Sequence, residues 1–371
     1  MIVQRLKKEA KMVQITATKE VFPKTSYPLN PKFGTIFTPY LLKMQIDKSQ
    51  TQSFRAEIVP YKEEPFWPGT AALHYGQSIF EGLKAYALNN GNVALFRADL
   101  HAERMKLSAE RMAMGSLQPQ VFIECLKAYV EMLKDHVPRE DGHSLYLRPL
   151  LFAYDPVIKV GSSQKYMFYI MSTIAGNYFS TGGKAKPVRV LINRLFVRAY
   201  PGGTGEAKTA GNYAASIWPQ THAQKLECDQ VLFLDAVKHE FIDEMGGMNF
   251  FIMKGNELIT PSLNGCILNG VTRRSILELA PQLGLKPIER PISLKELLDG
   301  VNSGEINEAF ACGTAAVISP IGEFLFQENL NSQGTIHKLK GDSEVSLRIL
   351  SQLSKIQRGL IKAPGEWLME V

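Results

Sequence analysis

Pro201-Gly202-Gly203-Thr204-Gly205-Glu206-Ala207-Lys208-Thr209-Ala210-Gly211-Asn212-Tyr213 sets a lysine inside a run of small residues. With so little bulk nearby, the backbone can turn sharply and a large planar or phosphorylated ligand can approach the ammonium. Two chemistries compete for such a segment. Lys208 serves either as a fixed cation in a phosphate cradle or as a nucleophile that bonds a carbonyl cofactor as a Schiff base.

The phosphate cradle has real support, because Gly202, Ala207, Lys208 and Thr209 spell G-x-x-x-x-A-K-T, one residue from a P-loop. The apolar run Val231-Leu232-Phe233-Leu234 also ends in Asp235, where a nucleotide hydrolase carries an acid. Three features oppose it. Ala207 puts a Cβ where the loop must wrap the phosphates, Gly211 weakens the helix that should start at Lys208, and Asp235 enters a hairpin instead of a crossover.

The 371 residues, 45% hydrophobic and 21% charged, describe a globular chain long enough for two domains. Its net charge of +6 is spread along the sequence, which suits small anionic substrates and gives no nucleic-acid signal. Cys125, Cys228, Cys266 and Cys312 form no CxxC pair and no zinc spacing, so no metal site is expected and the thiols read as small buried residues. Arg5, Lys7, Lys8 and Lys11 lead into no apolar core, Glu9 argues against organelle targeting, and no window reaches membrane-span length. A cytoplasmic enzyme without a membrane partner is the expectation.

Along the chain, 93–97 reads as a strand ending at Arg97, followed by a helix to Gly115 and a second amphipathic helix over 121–136. Asp141-Gly142 turns the chain into a strand over 144–149, where alternation puts Tyr146 and Arg148 on one face. A buried strand at 166–171 precedes Ser180-Thr181-Gly182-Gly183-Lys184-Ala185-Lys186-Pro187, the best linker in the sequence. The expected division is therefore a small N-terminal domain over 1–180, a linker over 181–187 and a larger domain over 188–371. In the latter, 188–193 is a strand, 212–224 a helix, 231–235 with 240–244 a hairpin, and 248–253 with 257–260 another. A helix begins after Gly270 and stops by Gly284.

A Schiff-base lysine bound to pyridoxal phosphate needs a carboxylate for the pyridine nitrogen, a hydroxyl near the phenolic oxygen and an anion site for the phosphate. Glu244 stands at a strand end before Gly246-Gly247, Val271 and Thr272 offer N–H groups at a helix start, and Gly313-Thr314-Ala315 adds a small-residue turn with a hydroxyl.

These residues carry a resemblance. Leu73-His74-Tyr75, Phe80-Glu81-Gly82-Leu83-Lys84-Ala85, Leu145-Tyr146-Leu147-Arg148-Pro149, the 208–213 segment, the 244–249 segment, Gly270-Val271-Thr272-Arg273 and Gly313-Thr314-Ala315 occur in the order found in branched-chain amino-acid aminotransferases. The likeness runs from about Phe33 to Trp367. It implies an α+β, two-domain, fold-type IV pyridoxal-phosphate enzyme, like the D-amino-acid aminotransferases, with a sheet or pseudo-barrel and helices in each domain.

By that resemblance, Lys208 is the catalytic residue, Glu244 partners the pyridine nitrogen and Tyr213 the phenolic oxygen. Arg97, Val271, Thr272 and Thr314 hold the phosphate. Phe33, Tyr75, Phe80, Tyr146 and Tyr178 line the substrate pocket, Arg148 meets a glutamate side chain, and Thr314 and Ala315 take the α-carboxylate. The implied reaction moves an amino group between leucine, isoleucine or valine and 2-oxoglutarate, in a homodimer whose subunits share the pocket. A D-amino-acid aminotransferase or lyase of the same fold is the alternative, and a P-loop protein the alternative from another class. Two departures stand out: the CxxC pair of vertebrate members is absent after Ala315, and Gly247 occupies a position where they carry Thr.

Overall fold

A computed structural model describes residues 12–49, 53–115, 117–176, 180–181 and 184–371. Tyr178 and residues 182–183 of the expected linker lie outside the described residues. Two mixed sheets organise the chain. The first runs, in spatial order, Val13–Ala17, Phe54–Pro60, Tyr40–Asp47, Lys165–Ala175, Ser144–Ala153, Leu83–Ala87, Val93–Phe96 and Leu368–Glu370, with Ser78–Phe80 beside Ser144–Ala153. Its centre is the antiparallel pair Ser144–Ala153 and Lys165–Ala175, in register from Ser144 opposite Ala175 to Ala153 opposite Tyr166. That register fixes Tyr146 and Arg148 on one face.

The helices Ala98–Arg111 and Pro119–Met132 cover the other face of this sheet. In the second of them Val121, Phe122, Cys125, Leu126, Tyr129 and Val130 form one buried stripe at helical spacing, and Pro119 sits in the first turn, where a missing N–H is harmless. The helix expected over 121–136 ends at Met132, and a separate 3₁₀ turn follows at Lys134–His136. The Ala98–Arg111 helix is less regular. Its buried side includes His101 and Arg104 among Ala98, Ala102, Met105 and Ala109.

The second sheet runs Ile242–Met245, Gln230–Leu234, Val188–Asn193, Val317–Gln327, Ile306–Gly313, Asn249–Lys254, Glu257–Thr260 and Lys286–Glu289, with Thr335–Lys338 paired to Val317–Gln327. Both expected hairpins form, the second turning through Gly255 at φ +60°. Leu294–Ser303 seals one face over Ile252, Ala309 and Phe324, and its N-cap Ser293 accepts from the Glu296 N–H. The helices Val271–Leu279 and Glu344–Gln357 pack on the other.

The chain passes from the first sheet to the second between Ala175 and Val188, and its final strand, Leu368–Glu370, returns to pair with Val93–Phe96. The segment 188–371, read as one unit, thus gives its last strand to the first sheet. Tyr86, Phe96 and Trp367 pack in the same cluster as Phe251, Phe310, Ile349 and Leu353, so one core joins the two sheets. We propose a domain boundary at 181–187, with that returning strand as its exception.

Candidate active site

The glycine-framed loop closes on itself. Asn212 donates from Nδ2 to the carbonyls of Thr204 (2.7 Å) and Ala207 (2.8 Å), and Arg111 donates to those of Gly202 (2.9 Å) and Gly203 (2.8 Å). The N–H groups of Gly203 and Ala207 are spent on Tyr200 and Thr204. A phosphate cradle needs such N–H groups turned toward the ligand, so this loop is not one. Its small residues serve packing instead: a Cβ on Gly205 would come 2.5 Å from Cys266 Cα.

Lys208 is held by the first sheet's side of the molecule. Its N–H donates to Ser108 Oγ (3.0 Å), its carbonyl accepts from the Phe80 N–H (3.0 Å), and Thr209 Oγ1 donates to Ser78 O (2.8 Å). The ammonium donates to the Tyr213 hydroxyl at 2.8 Å, and lies 4.7 Å from the Phe80 ring centre. Lysine and tyrosine meet because the helix Ala210–Lys225 begins just after Lys208, so Tyr213 projects back over its first turn.

Glu244, at the end of Ile242–Met245, is buried with both carboxylate oxygens engaged. Oε1 accepts from the Leu268 N–H (2.8 Å) and pairs with Arg198 Nη1 (3.0 Å), and Oε2 accepts from Asn249 Nδ2 (2.8 Å). Burial pushes its carboxyl up to about 7, against the opposing pull of Arg198 and the Leu268 N–H, and Lys208 lies near enough to add its own field. Asn249 comes so close to Gly270 that a Cβ there would sit 1.9 Å from Asn249 Oδ1, which explains that glycine. Gly270 then opens the helix Val271–Leu279, whose N-terminus no side chain caps. A narrow cleft there is lined by Val271, Thr272, Thr314, Lys84 and His101. Uncapped N–H groups, two hydroxyls and a lysine make it an anion site.

Tyr146 and Arg148 do share a face, with Arg148 Nη2 donating to Tyr146 Oη at 3.1 Å. The Arg148 guanidinium lies 4.5 Å over Phe80, Phe33 packs edge-on to Tyr146 (4.9 Å), and Phe80 meets Tyr213 (4.9 Å). Arg148 Nε is buried without a partner among the described residues. A Cβ on Gly82 would meet Tyr146 Oη at 2.1 Å, so the glycine makes room for that hydroxyl. These contacts link Lys208, Tyr213, Phe80, Arg148, Tyr146 and Phe33 into one wall. Thr314 and Ala315 form the tip of the hairpin between Ile306–Gly313 and Val317–Gln327.

Two further expected residues have partners of their own. Tyr75 is 39% exposed at the end of the Ala71–Tyr75 helix, with His74 as its ring neighbour. Arg97 forms a two-pronged pair with Glu278 (2.7 and 3.1 Å), reaches Ser275 and stacks on Trp367 (4.7 Å). Its hydrogen-bond partners lie on the Val271–Leu279 helix, within two turns of the uncapped N-terminus, where Ser275 Oγ in turn donates to Val271 O.

Sequence reading missed a second arginine. Arg104 reaches the helix entry itself, donating to Asn269 O (3.0 Å), while Nε and Nη2 grip Glu81 (2.7 and 2.9 Å). His101 Nδ1 completes this buried triad, 2.7 Å from Glu81 Oε2. Burial would raise the Glu81 carboxyl, but Arg104 and His101 overcome it and hold the group well below the usual range. The ionised carboxylate makes His101 Nδ1 the donor. Arg198 and Asn249, which clamp Glu244, were missed as well.

The Amino-transferase class IV profile matches residues 78–324, the span from the Phe80 strand to the second sheet. The chain belongs to the class IV aminotransferases. The Bacillus subtilis branched-chain-amino-acid transaminase 1 is 40% identical over 347 residues, covering 93% of this class IV aminotransferase and 95% of the relative. Among solved structures, the Thermoproteus uzoniensis branched-chain aminotransferase, crystallised with norvaline, is 26% identical with a TM-score of 0.69, covering 88% of this chain and 98% of that one. The Thermobaculum terrenum branched-chain amino acid aminotransferase, in its PLP-bound holo form, shares the fold at 22% identity and a TM-score of 0.70, covering 90% and 98%. Among the described residues no helix is long and apolar enough to cross a membrane, and no cluster of three His, Cys, Asp or Glu is placed to hold a metal ion.

Proposed function

We propose that this class IV aminotransferase exchanges the amino group of leucine, isoleucine or valine with 2-oxoglutarate, one substrate leaving before the next enters, using pyridoxal 5′-phosphate. The observation that carries this is Lys208, held against the Tyr213 hydroxyl and facing a buried carboxyl, Glu244, beside an uncapped helix N-terminus. The residues fit the cofactor: an amine for its carbonyl carbon, a carboxyl for its ring nitrogen and an anion cleft for its phosphate. When bound, it supplies a reversible carbonyl link to the amino group and an electron-withdrawing ring.

The chain's own groups do the rest. Lys208 Nζ carries the proton to and from the substrate Cα, with Tyr213 Oη orienting it. Glu244, with its carboxyl near neutral, holds or yields a proton at the ring nitrogen. Val271 and Thr272 N–H, Thr314 Oγ1 and Arg97, which already reaches the same helix at Ser275, hold the phosphate, while Arg104 ties Glu81 to the helix entry at Asn269 O. Phe33, Phe80 and Tyr146 exclude water around an aliphatic side chain, and Arg148, with its unpartnered Nε, receives the carboxylate of a glutamate side chain. Thr314 and Ala315 bind the α-carboxylate.

We further propose a cytoplasmic homodimer. Leu41, Phe152 and Tyr169 form an apolar face of the first sheet, beside a groove of about 1000 Å³ that Phe66 and Leu73 also line. Covering it with a second copy places Tyr75, on the Leu73 helix, at a subunit boundary and within reach of a partner's pocket. Light scattering on the eluting protein gives the subunit count. For the activity, purified protein should absorb in the visible, L-leucine but not D-leucine should bleach that band, and 2-oxoglutarate should restore it. Lys208→Ala should lose band and turnover together; retained turnover would overturn the assignment.

A further inference from the structure

Lys84 sits on Leu83–Ala87 of the first sheet, just after the glycine that makes room for Tyr146. It is 6% exposed, and its ammonium crosses to the second sheet to donate to Ala315 O at 2.9 Å, 231 residues later in the chain. Desolvation pulls its ammonium down to about 8, with no acid opposing it. Burying a lysine against a neutral carbonyl is unfavourable unless the contact has a purpose.

The hairpin it grips is strained. Gly313 pairs with Val317, leaving 314–316 as a three-residue loop, and Val317 closes the loop at φ +61°. Hairpins of this kind place glycine at the left-handed position, and a β-branched residue there is an outlier. Such a conformation persists only where surrounding contacts over-determine it. The carbonyl of one residue and the N–H of the next point oppositely across a trans peptide, so pinning Ala315 O also fixes the Ala316 N–H. Lys84 thereby sets the plane of the 315–316 peptide and, because that peptide shares the Ala315 Cα with the 314–315 peptide, limits the turn that presents the Thr314 and Ala315 amides.

We propose that Lys84 is a positioning residue for the reaction: it reaches across the domain interface and holds the 314–316 hairpin tip in its strained conformation, so that the tip's amides are preorganised for the substrate α-carboxylate. This rests on the carboxylate role proposed above for Thr314 and Ala315. It assigns no contact between Lys84 and substrate. The residue acts through the Ala315 carbonyl.

The test compares Lys84→Met, Lys84→Arg, Val317→Gly and the Lys84→Met/Val317→Gly double variant as holoenzymes. In Lys84→Met, amide hydrogen exchange over 314–318 should quicken at least about tenfold, and KM for both L-leucine and 2-oxoglutarate should rise about tenfold with kcat changed less than about threefold. Lys84→Arg, still a donor, should recover most of the loss. Val317→Gly should relieve the strain, so the double variant should lose less than Lys84→Met does. Unchanged exchange and KM in Lys84→Met, or effects of the two substitutions that simply add, would overturn the proposal. So would a loss confined to retention of pyridoxal 5′-phosphate and not of pyridoxal, which would make Lys84 a phosphate cation instead. If Lys84→Met does not fold, Lys84→Gln, which keeps one donor, takes its place in the same measurements. Should the wild type show no transamination, the proposed activity fails on its own, while the exchange measurement still decides whether Lys84 holds the hairpin.

Discussion

Arg198 Nη1 lies 3.0 Å from Glu244 Oε1, and both side chains are almost wholly buried. The arginine also donates to the carbonyls of Gly205 and Cys266, so the glycine-framed loop and the Glu244 carboxyl are tied by one guanidinium. Removing it would strand a buried acid. Arg198→Met should lower unfolding free energy by about 3–5 kcal/mol and weaken cofactor retention, read by thermal denaturation and by the visible absorption after dialysis. Arg198→Lys, a point charge that cannot reach three acceptors at once, should recover only part.

The raised Glu244 carboxyl has a pH signature in the cofactor-free protein. Its ordinary value is 4.5 and its folded value about 7, so between those limits the folded state binds more protons than the unfolded one. Stability should therefore fall as pH rises through that window, by roughly 3 kcal/mol if the shift holds in full. Histidines whose values are lowered in the fold act in the opposite direction, so the informative quantity is the difference between wild type and Glu244→Gln. Denaturant melts at pH 4.5, 6 and 7.5 should show that the wild type loses stability relative to Glu244→Gln as pH rises; a difference that stays flat would mean that Glu244 carries no such shift. Glu81, held low, is ionised in both states across most of this range and contributes mainly below it.

Arg148→Met should separate the two substrate classes. A charge-assisted hydrogen bond contributes about 1.5–3 kcal/mol, so kcat/KM for glutamate should drop by roughly 10- to 150-fold while that for leucine changes little. Equal losses would make Arg148 a wall residue, stacked between Phe80 and Tyr146 for packing alone.

The two arginines of the Ala98–Arg111 region should divide their labour. Arg97→Met, which removes the cation proposed for the phosphate, should weaken phosphate-bearing cofactor at least about tenfold. Arg104→Met paired with Glu81→Gln, so that no carboxylate is left buried alone, should lower the melting temperature and change cofactor affinity by less than Arg97→Met does. Fluorescence titration of cofactor-free protein with pyridoxal 5′-phosphate measures both.

Where the chemistry was local, it could be read from the chain. Lys208 and Tyr213 meet because they straddle a helix start, Tyr146 and Arg148 because strands alternate, and Val271 stands at an uncapped helix N-terminus just after a glycine. A strand end places Arg97 near the edge of a sheet, but it does not show that Glu278 and Trp367 await it there. Arg104 had a signal of its own: with His101 it interrupts the apolar stripe of a helix that otherwise buries Ala98, Ala102, Met105 and Ala109. Charged residues on a buried stripe require partners, and Glu81 lies within one of the quoted motifs. Asn249 and Lys84 stand in quoted motifs, but their partners and that of Arg198 were hidden: Arg198 and Asn249 reach Glu244 only through the packing of the second sheet, and Lys84 reaches Ala315 only where the two sheets meet.

The returning strand bears on how the molecule is made. Val93–Phe96 is synthesised early, yet its outer neighbour, Leu368–Glu370, emerges about 270 residues later, which at about 5–20 residues per second is a delay of tens of seconds. Throughout that interval the nascent chain carries an open sheet edge, and Phe96 lacks the indole of Trp367 that packs against it. The last strand to be made is thus the one that closes this edge against wrong pairing.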